Sequence, residues 1–289
     1  MNHNSSRKKA WSLVLVFWGL AVWIFVKSGI FAPEPKTELF FLSVGQGDSE
    51  LIVARNQSGQ PVTILIDGGR NAAVMGELDR VLPQNHRLID LMIMTHPQLD
   101  HFAGLIDVVR TLPVRAFLAT GRKGEISAYD ELRLALIDKK IPYIVIGEGD
   151  TVRYGASRLN IVSPSPTERR DKELNTTSIV FRFTDGNISA IYTGDAGTNV
   201  ETRLAKKYPL ASDVLKVGHH GSKFSSATVF LKAVNPKAAI IEVGKNTYGH
   251  PTKAALERLE KNGAQIFRTD LDGTVKIIKS AQGLTVTGL

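Results

Sequence analysis

Cysteine is absent from all 289 residues, which excludes disulfides and thiolate metal sites and leaves nitrogen and oxygen as the only donors to an ion. Histidine is scarce, seven in all, and none falls between His101 and His219. Neither sign of charge dominates strongly: 36 Lys and Arg against 28 Asp and Glu leave +8, and residues 1–37 carry half of that surplus. The remainder is compatible with a polyanionic substrate and equally with an ordinary solvated surface. Hydrophobic residues are not in short supply. At 43% of the chain they suffice for the core of one large domain or two small ones and exclude a disordered protein.

The first 37 residues read as a separate region. Arg7, Lys8 and Lys9 precede an uncharged apolar stretch from Ala10 to Val26, closed by Lys27. Its seventeen residues sit at the short limit for a membrane span. No small-x-small cleavage site follows, so the pattern favours an uncleaved N-terminal transmembrane helix over a removed signal peptide. The basic residues before the span place the N-terminus in the cytoplasm and the domain from residue 38 to 289 outside it, a single-pass, extracytoplasmic arrangement.

From Glu38 onward, short β-branched runs alternate with Gly- and Asp-containing loops. Strands are expected at Leu39–Val44, Ser49–Ala54, Val62–Ile66, Ile89–Met94 and Ile144–Ile146, with helices at Phe102–Thr111 and Ala128–Lys139. A second series follows Asp150. It comprises strands at Arg158–Val162, Ser178–Phe183, Ser189–Thr193, Val214–Val217, Ala238–Val243, Ala264–Arg268 and Gly273–Ile278, with helices at Asn199–Lys207, Ala227–Val234 and Thr252–Lys261. Two β-rich halves with helices between them predict two packed sheets covered by helices, an α+β domain.

The densest chemistry lies in Thr95-His96-Pro97-Gln98-Leu99-Asp100-His101-Phe102-Ala103-Gly104, immediately after an apolar strand. Two imidazoles beside a carboxylate suit Zn, Mn or Fe better than Ca or Mg. An N-cap role for Asp100 is the structural alternative. Four more loops present polar groups beside glycine at strand ends: 44–49 (VGQGDS), 66–69 (IDGG), 192–195 (YTGD) and 217–222 (VGHHGS).

Taken in order, FLSVGQGDSE at 41–50, LIDGG at 65–69, THPQLDHFAG at 95–104, TGD at 193–195, VLKVGHHGSKFSS at 214–226 and YGHP at 248–251 resemble the metallo-β-lactamase superfamily. Within it they are most similar to the hydrolase domain of ComEC-type DNA-uptake (competence) proteins. The resemblance implies a metallo-β-lactamase-like αββα sandwich over residues 38–289. It also implies that His96, Asp100, His101, Asp195 and one of His219 and His220 hold Zn or Mn. Where such relatives carry Asp in the middle of the His-x-x-x-Asp-His motif, this chain has Gln98. A neutral amide is a poor ligand, so one firmly bound ion is expected and a second is weak or absent. Asn175 stands where other members supply a histidine.

Asp100 or Asp195 would orient the attacking water, while Tyr248 and His250 would donate to the leaving oxygen. Asp48 and Asp67 would support the ligands or merely shape turns, Gln98 and Asn175 lying beside them. Ser222, Lys223 and Lys245 are candidate substrate contacts, and Lys216 with the latter two lysines would track a phosphate backbone or be solvated. The leading expectation is a membrane-anchored, metal-dependent phosphodiesterase or nuclease acting on nucleic acid, DNA first. The alternatives are a hydrolase of another ester (cell-envelope phosphorylcholine ester, cyclic nucleotide or lactone) and a catalytically impaired nucleic-acid-binding module. Any separate channel or uptake partner is left unspecified.

Overall fold

Runs such as ELIVAR and PVTILI bury nearly every side chain, so their strands need cover on both faces. The computed structural model describes residues 36–186 and 188–289 and supplies that cover as four layers. The N-terminal span expected at residues 10–26 lies outside the described residues; among these no helix is long and apolar enough to cross a membrane.

One sheet contains β1 (Glu38–Phe41), β2 (Glu50–Arg55), β3 (Pro61–Ile66), β4 (Leu91–Ile93), β5 (Phe117–Ala119), β6 (Tyr143–Val145), β14 (Val275–Ser280) and β15 (Gly283–Gly288), in the order β15-β14-β1-β2-β3-β4-β5-β6. The other contains β7 (Thr151–Tyr154), β8 (Ser157–Ser163), β9 (Val180–Asp185), β10 (Ile188–Tyr192), β11 (Val214–Lys216), β12 (Ala238–Ile241) and β13 (Gln265–Arg268), ordered β13-β12-β11-β10-β9-β8-β7. Period-two alternation divides each strand between two cores. In β2 and β3, Ile52, Ile64 and Ile66 face Ile161, Phe181 and Tyr192 of the opposite sheet. Leu51, Val53 and Leu65 face outward, onto α1 (Ala73–Val81), α2 (Leu99–Thr111) and α3 (Ser127–Asp138). The second sheet turns Ile191, Leu215 and Ile241 toward α4 (Thr198–Lys207), α5 (Thr228–Val234) and α6 (Lys253–Lys261). A short α7 (Thr269–Asp272) precedes β14.

Five elements escape the sequence pattern, among them strand β5 and helix α7, which at three and four residues are too short to show a period. Helix α1 buries only Val74 and Leu78, too narrow a stripe to register as a period. Strands β7 and β15 are largely exposed edges and therefore carry little hydrophobic signal.

Strands β3, β4, β5 and β6 are mutually parallel, as are β10, β11, β12 and β13. Parallel neighbours deliver their C-terminal ends, and the loops that follow, to one edge. The loops after β3, β4, β10 and β11 are those carrying Asp67, His96 to His101, Asp195 and His219-His220.

Candidate metal centre

Two glycines let the loops close up. A Cβ on Gly104 would lie 2.0 Å from the Gly68 carbonyl oxygen, and one on Gly68 would lie 2.7 Å from the Leu105 nitrogen. The first turn of α2 therefore presses directly on the loop after β3, where the Gly68 N–H donates to the His101 carbonyl at 2.7 Å. This contact carries Asp67, itself at φ +51°, beneath the His101 ring.

Each of three imidazoles is fixed in one tautomer by a donor bond from Nδ1. His101 Nδ1 donates to Asp67 at 2.8 Å. His96 Nδ1 lies 3.0 Å from the Thr95 hydroxyl, which gives its own proton to Asp67 at 2.6 Å. His220 Nδ1 donates to the Glu242 carbonyl at 2.8 Å, with Asp48 at 3.2 Å on the same side. The three Nε2 atoms are left bare, buried and without hydrogen-bond partners, as is Asp195 Oδ1. Their directions converge. Asp195 Oδ2 is 3.4 Å from His101 Nε2 and 3.9 Å from His220 Nε2, and Asp100 Oδ2 is 3.5 Å from His220 Nε2. Potential ligand atoms of His96, His101 and Asp195, and likewise of Asp100, His101 and His220, lie within 4.8 Å of one another. Buried, unpartnered nitrogen and carboxylate oxygen at these separations fit a divalent metal ion.

Electrostatics agree with that fit. Burial opposes charge on His220, yet Asp195 and Asp48 outweigh it and push its pKa up to about 10. The same opposition, led by Asp195 after burial, raises His101 well above its usual range. His96 goes the other way, lowered to about 3 by burial and by the neighbouring His101. Burial works against the Asp195 carboxylate, but His101 and His220 hold its pKa well below normal. The cavity is thus built to hold positive charge among carboxylates.

The sequence profile of the family described as "Beta-lactamase superfamily domain" matches residues 62–217, a stretch that includes β3, β4, the His96–His101 loop, Asp195 and β11. The chain belongs to the beta-lactamase superfamily. Its curated relatives include "ComE operon protein 3" of Bacillus subtilis, 29% identical over 83% of this chain and 32% of that protein. "Competence protein ComA" of Neisseria gonorrhoeae is 31% identical over 84% of this chain and 32% of that protein. The chain therefore spans about a third of the length of these relatives. Among solved structures, the metallo-beta-lactamase fold protein YhfI from Bacillus subtilis superposes with a TM-score of 0.57, covering 84% of this chain and 100% of that one at 12% identity. The protein thus joins the metallo-β-lactamase-fold hydrolases related to ComEC-type competence proteins, and this fold implies a divalent metal centre.

Within this superfamily fold the adjacent histidines divide their tasks. Both adopt left-handed backbone, φ +51°, so they lie in a tight turn. His220 is buried against Asp48 and Asp100, whereas the His219 side chain keeps 31% of its exposure. His219 forms the rim with Asn175, whose Nδ2 is 3.3 Å from its Nδ1, and with His250, whose ring is edge-on at 5.4 Å. Tyr248, 70% exposed, continues this rim. Asp100 lies in the first turn of α2 and is not its cap; Gln98 holds that position, its carbonyl accepting the His101 and Phe102 N–H groups.

Two expected contacts are placed differently. Ser222 is buried, and its hydroxyl accepts the Phe224 N–H at 3.2 Å, a bond that shapes the loop. Lys216 cannot track a phosphate backbone, because it is buried and donates to Asp48 and, at 3.2 Å, to the Gly194 carbonyl. Lys223 and Lys245 are exposed.

Sequence reasoning passed over the layer beneath the centre. Glu50 and Glu242 are both buried, and Glu242 accepts the Ser49 N–H at 3.1 Å while its carbonyl holds His220. Burial and the neighbouring Asp48 push Glu50 up to about 8; burial and Glu50 raise Glu242 well above normal. The signal was present as single charged residues interrupting apolar runs, ELIVA and AAIIEV.

Proposed function

We propose that this protein is a metal-dependent phosphodiesterase acting on nucleic acid, DNA above all. The observation that carries the reading is the convergence of three tautomer-locked imidazoles with Asp100 and Asp195. A divalent ion bound there supplies Lewis acidity and acidifies water near neutral pH. The chain's own residues do the rest. Asp67, Thr95 and Glu242 hold the rings in place, Asp195 or Asp100 orients the attacking water, and His250 and Tyr248 on the rim donate to the leaving oxygen. Lys223 and Lys245 offer exposed ammonium groups to the phosphate chain. The relative named as a competence protein supports DNA as the substrate.

The test is metal content by elemental analysis alongside cleavage of bis-p-nitrophenyl phosphate and of single-stranded DNA. Near-stoichiometric Zn or Mn with chelator-sensitive cleavage of both is the expected result. A folded protein that takes up no ion and cleaves neither would refute the reading and leave a nucleic-acid-binding module in its place.

Residues 10–26 would anchor the catalytic domain on the outer side of the membrane, a proposal supported by their apolar composition and by the preceding Arg7, Lys8 and Lys9. Membrane fractionation should recover the protein with the membranes, its domain digested by external protease. A soluble protein, or one protected from that protease, would contradict the topology.

A further inference from the structure

An open cleft of about 570 Å³ is lined among others by Thr120, Arg122, Lys123, Glu125, Arg169 and Arg170. One wall is the loop after β5, and β5 is the parallel neighbour of β4. That loop therefore emerges about one strand spacing, roughly 5 Å, from the loop carrying His96. The other wall is the segment between β8 and β9, which bears Arg169 and Arg170 and, five residues on, Asn175 against His219. Its end is tied to the metal loop by the Ile179 N–H donating to the Thr95 carbonyl at 3.0 Å. Both walls thus lead out of the centre.

No carboxylate pairs with the cations in this cleft among the described residues. Ion pairs among the described residues use Arg110, Arg133 and Arg203 nearby, but none of Arg122, Lys123, Arg169 or Arg170. The nearest acid in sequence to Arg169, Glu168, is already engaged by Arg203 at 2.6 Å. Arg169 is fixed by an Nη2 bond to the Ile146 carbonyl at 3.3 Å, and the Nε atoms of Arg169 and Arg122 are buried without acceptors. Four positive side chains on two walls, with Glu125 the one acid among the lining residues, match a chain of regularly spaced negative charges.

We infer that this cleft binds the phosphodiester backbone of a polynucleotide strand running away from the scissile bond, a site separate from the metal ligands and from the rim of His219, His250 and Tyr248. The inference deepens the phosphodiesterase reading and rests on it for its biological meaning. A small diester would occupy the centre without reaching the cleft.

The test is fluorescence anisotropy of a labelled twelve-nucleotide oligothymidylate with the full-length chain in detergent and EDTA, so that no cleavage intervenes. Lys123→Glu/Arg170→Glu reverses two exposed charges in the cleft; Lys232→Glu/Lys261→Glu makes the same change in net charge on the far helices. The expected result is binding at least tenfold weaker for the cleft pair, with the slope of log K against log salt smaller by about 1.4, two phosphates at 0.7 each, and a change of less than twofold for the far pair. Equal weakening by both pairs, or no weakening by the cleft pair, would overturn the site. Hydrolysis of bis-p-nitrophenyl phosphate by the metal-loaded unsubstituted protein judges the phosphodiesterase reading independently, so the two can fail separately.

Discussion

Replacing Asp195 with alanine should reduce metal-dependent diester hydrolysis to background while the protein remains folded. This carboxylate approaches four imidazoles of the site: His101 Nε2 at 3.4 Å, His219 and His220 Nε2 at 3.9 Å, and His96 within the same cluster of potential ligand atoms. Its loss would remove both a candidate ligand and the negative charge facing His101 and His220. Ion binding should weaken by more than the roughly 10–100-fold that accompanies loss of a supporting partner. The fold should survive because the loop is held by backbone contacts: Asp195 N–H donates to the Ser178 hydroxyl at 3.3 Å, and Gly194 O accepts from His219 N at 3.2 Å. Asp195→Asn keeps the shape and removes the charge, so the two variants should lose activity alike. Elemental analysis, chelator-sensitive rates and thermal melts check the three parts; hydrolysis at the original rate in either variant would remove Asp195 from the mechanism.

Strand and loop order were readable because hydrophobic periodicity and glycine punctuation are local properties. β2, β3, β4 and α2 all appear where their apolar patterns predict. The candidate site was readable as a set, since parallel strands bring successive loops to one edge whatever the details of packing. The division of labour between His219 and His220 was not readable. It depends on two consecutive left-handed residues, a conformation that a non-glycine pair gives no advance notice of. The basic cleft was hidden for a different reason: Arg122 and Arg169 come from separate sheets, and only the sandwich sets their loops facing one another. Likewise, Lys216 meets Asp48 across 168 positions of sequence, and in the run VLKV it reads as a lysine at a strand edge.

That buried lysine makes the second large effect predictable. Lys216→Met should destabilise the protein by about 3–5 kcal/mol, the usual consequence of deleting one partner of a buried ion pair, and lower Tm by roughly 10 °C for a domain of this size. Burial disfavours its charge, but Asp48, Glu50, Asp195 and Glu242 outweigh that and raise its pKa. Without the ammonium, Asp48 keeps only the imidazoles of His220 at 3.2 Å and His101 at 3.6 Å beside it, at a position that is itself fully buried. The same reasoning predicts that Asp48→Asn restores part of the loss in the Lys216→Met background, since the uncompensated charge is then gone. Thermal or denaturant unfolding of the single and double variants measures this coupling directly. A Lys216→Met protein as stable as the original, or a double variant no better than the single, would mean that Asp48 draws its compensation from the histidines. In that case the metal centre, and not the lysine beneath it, would be what keeps this carboxylate-rich core charged.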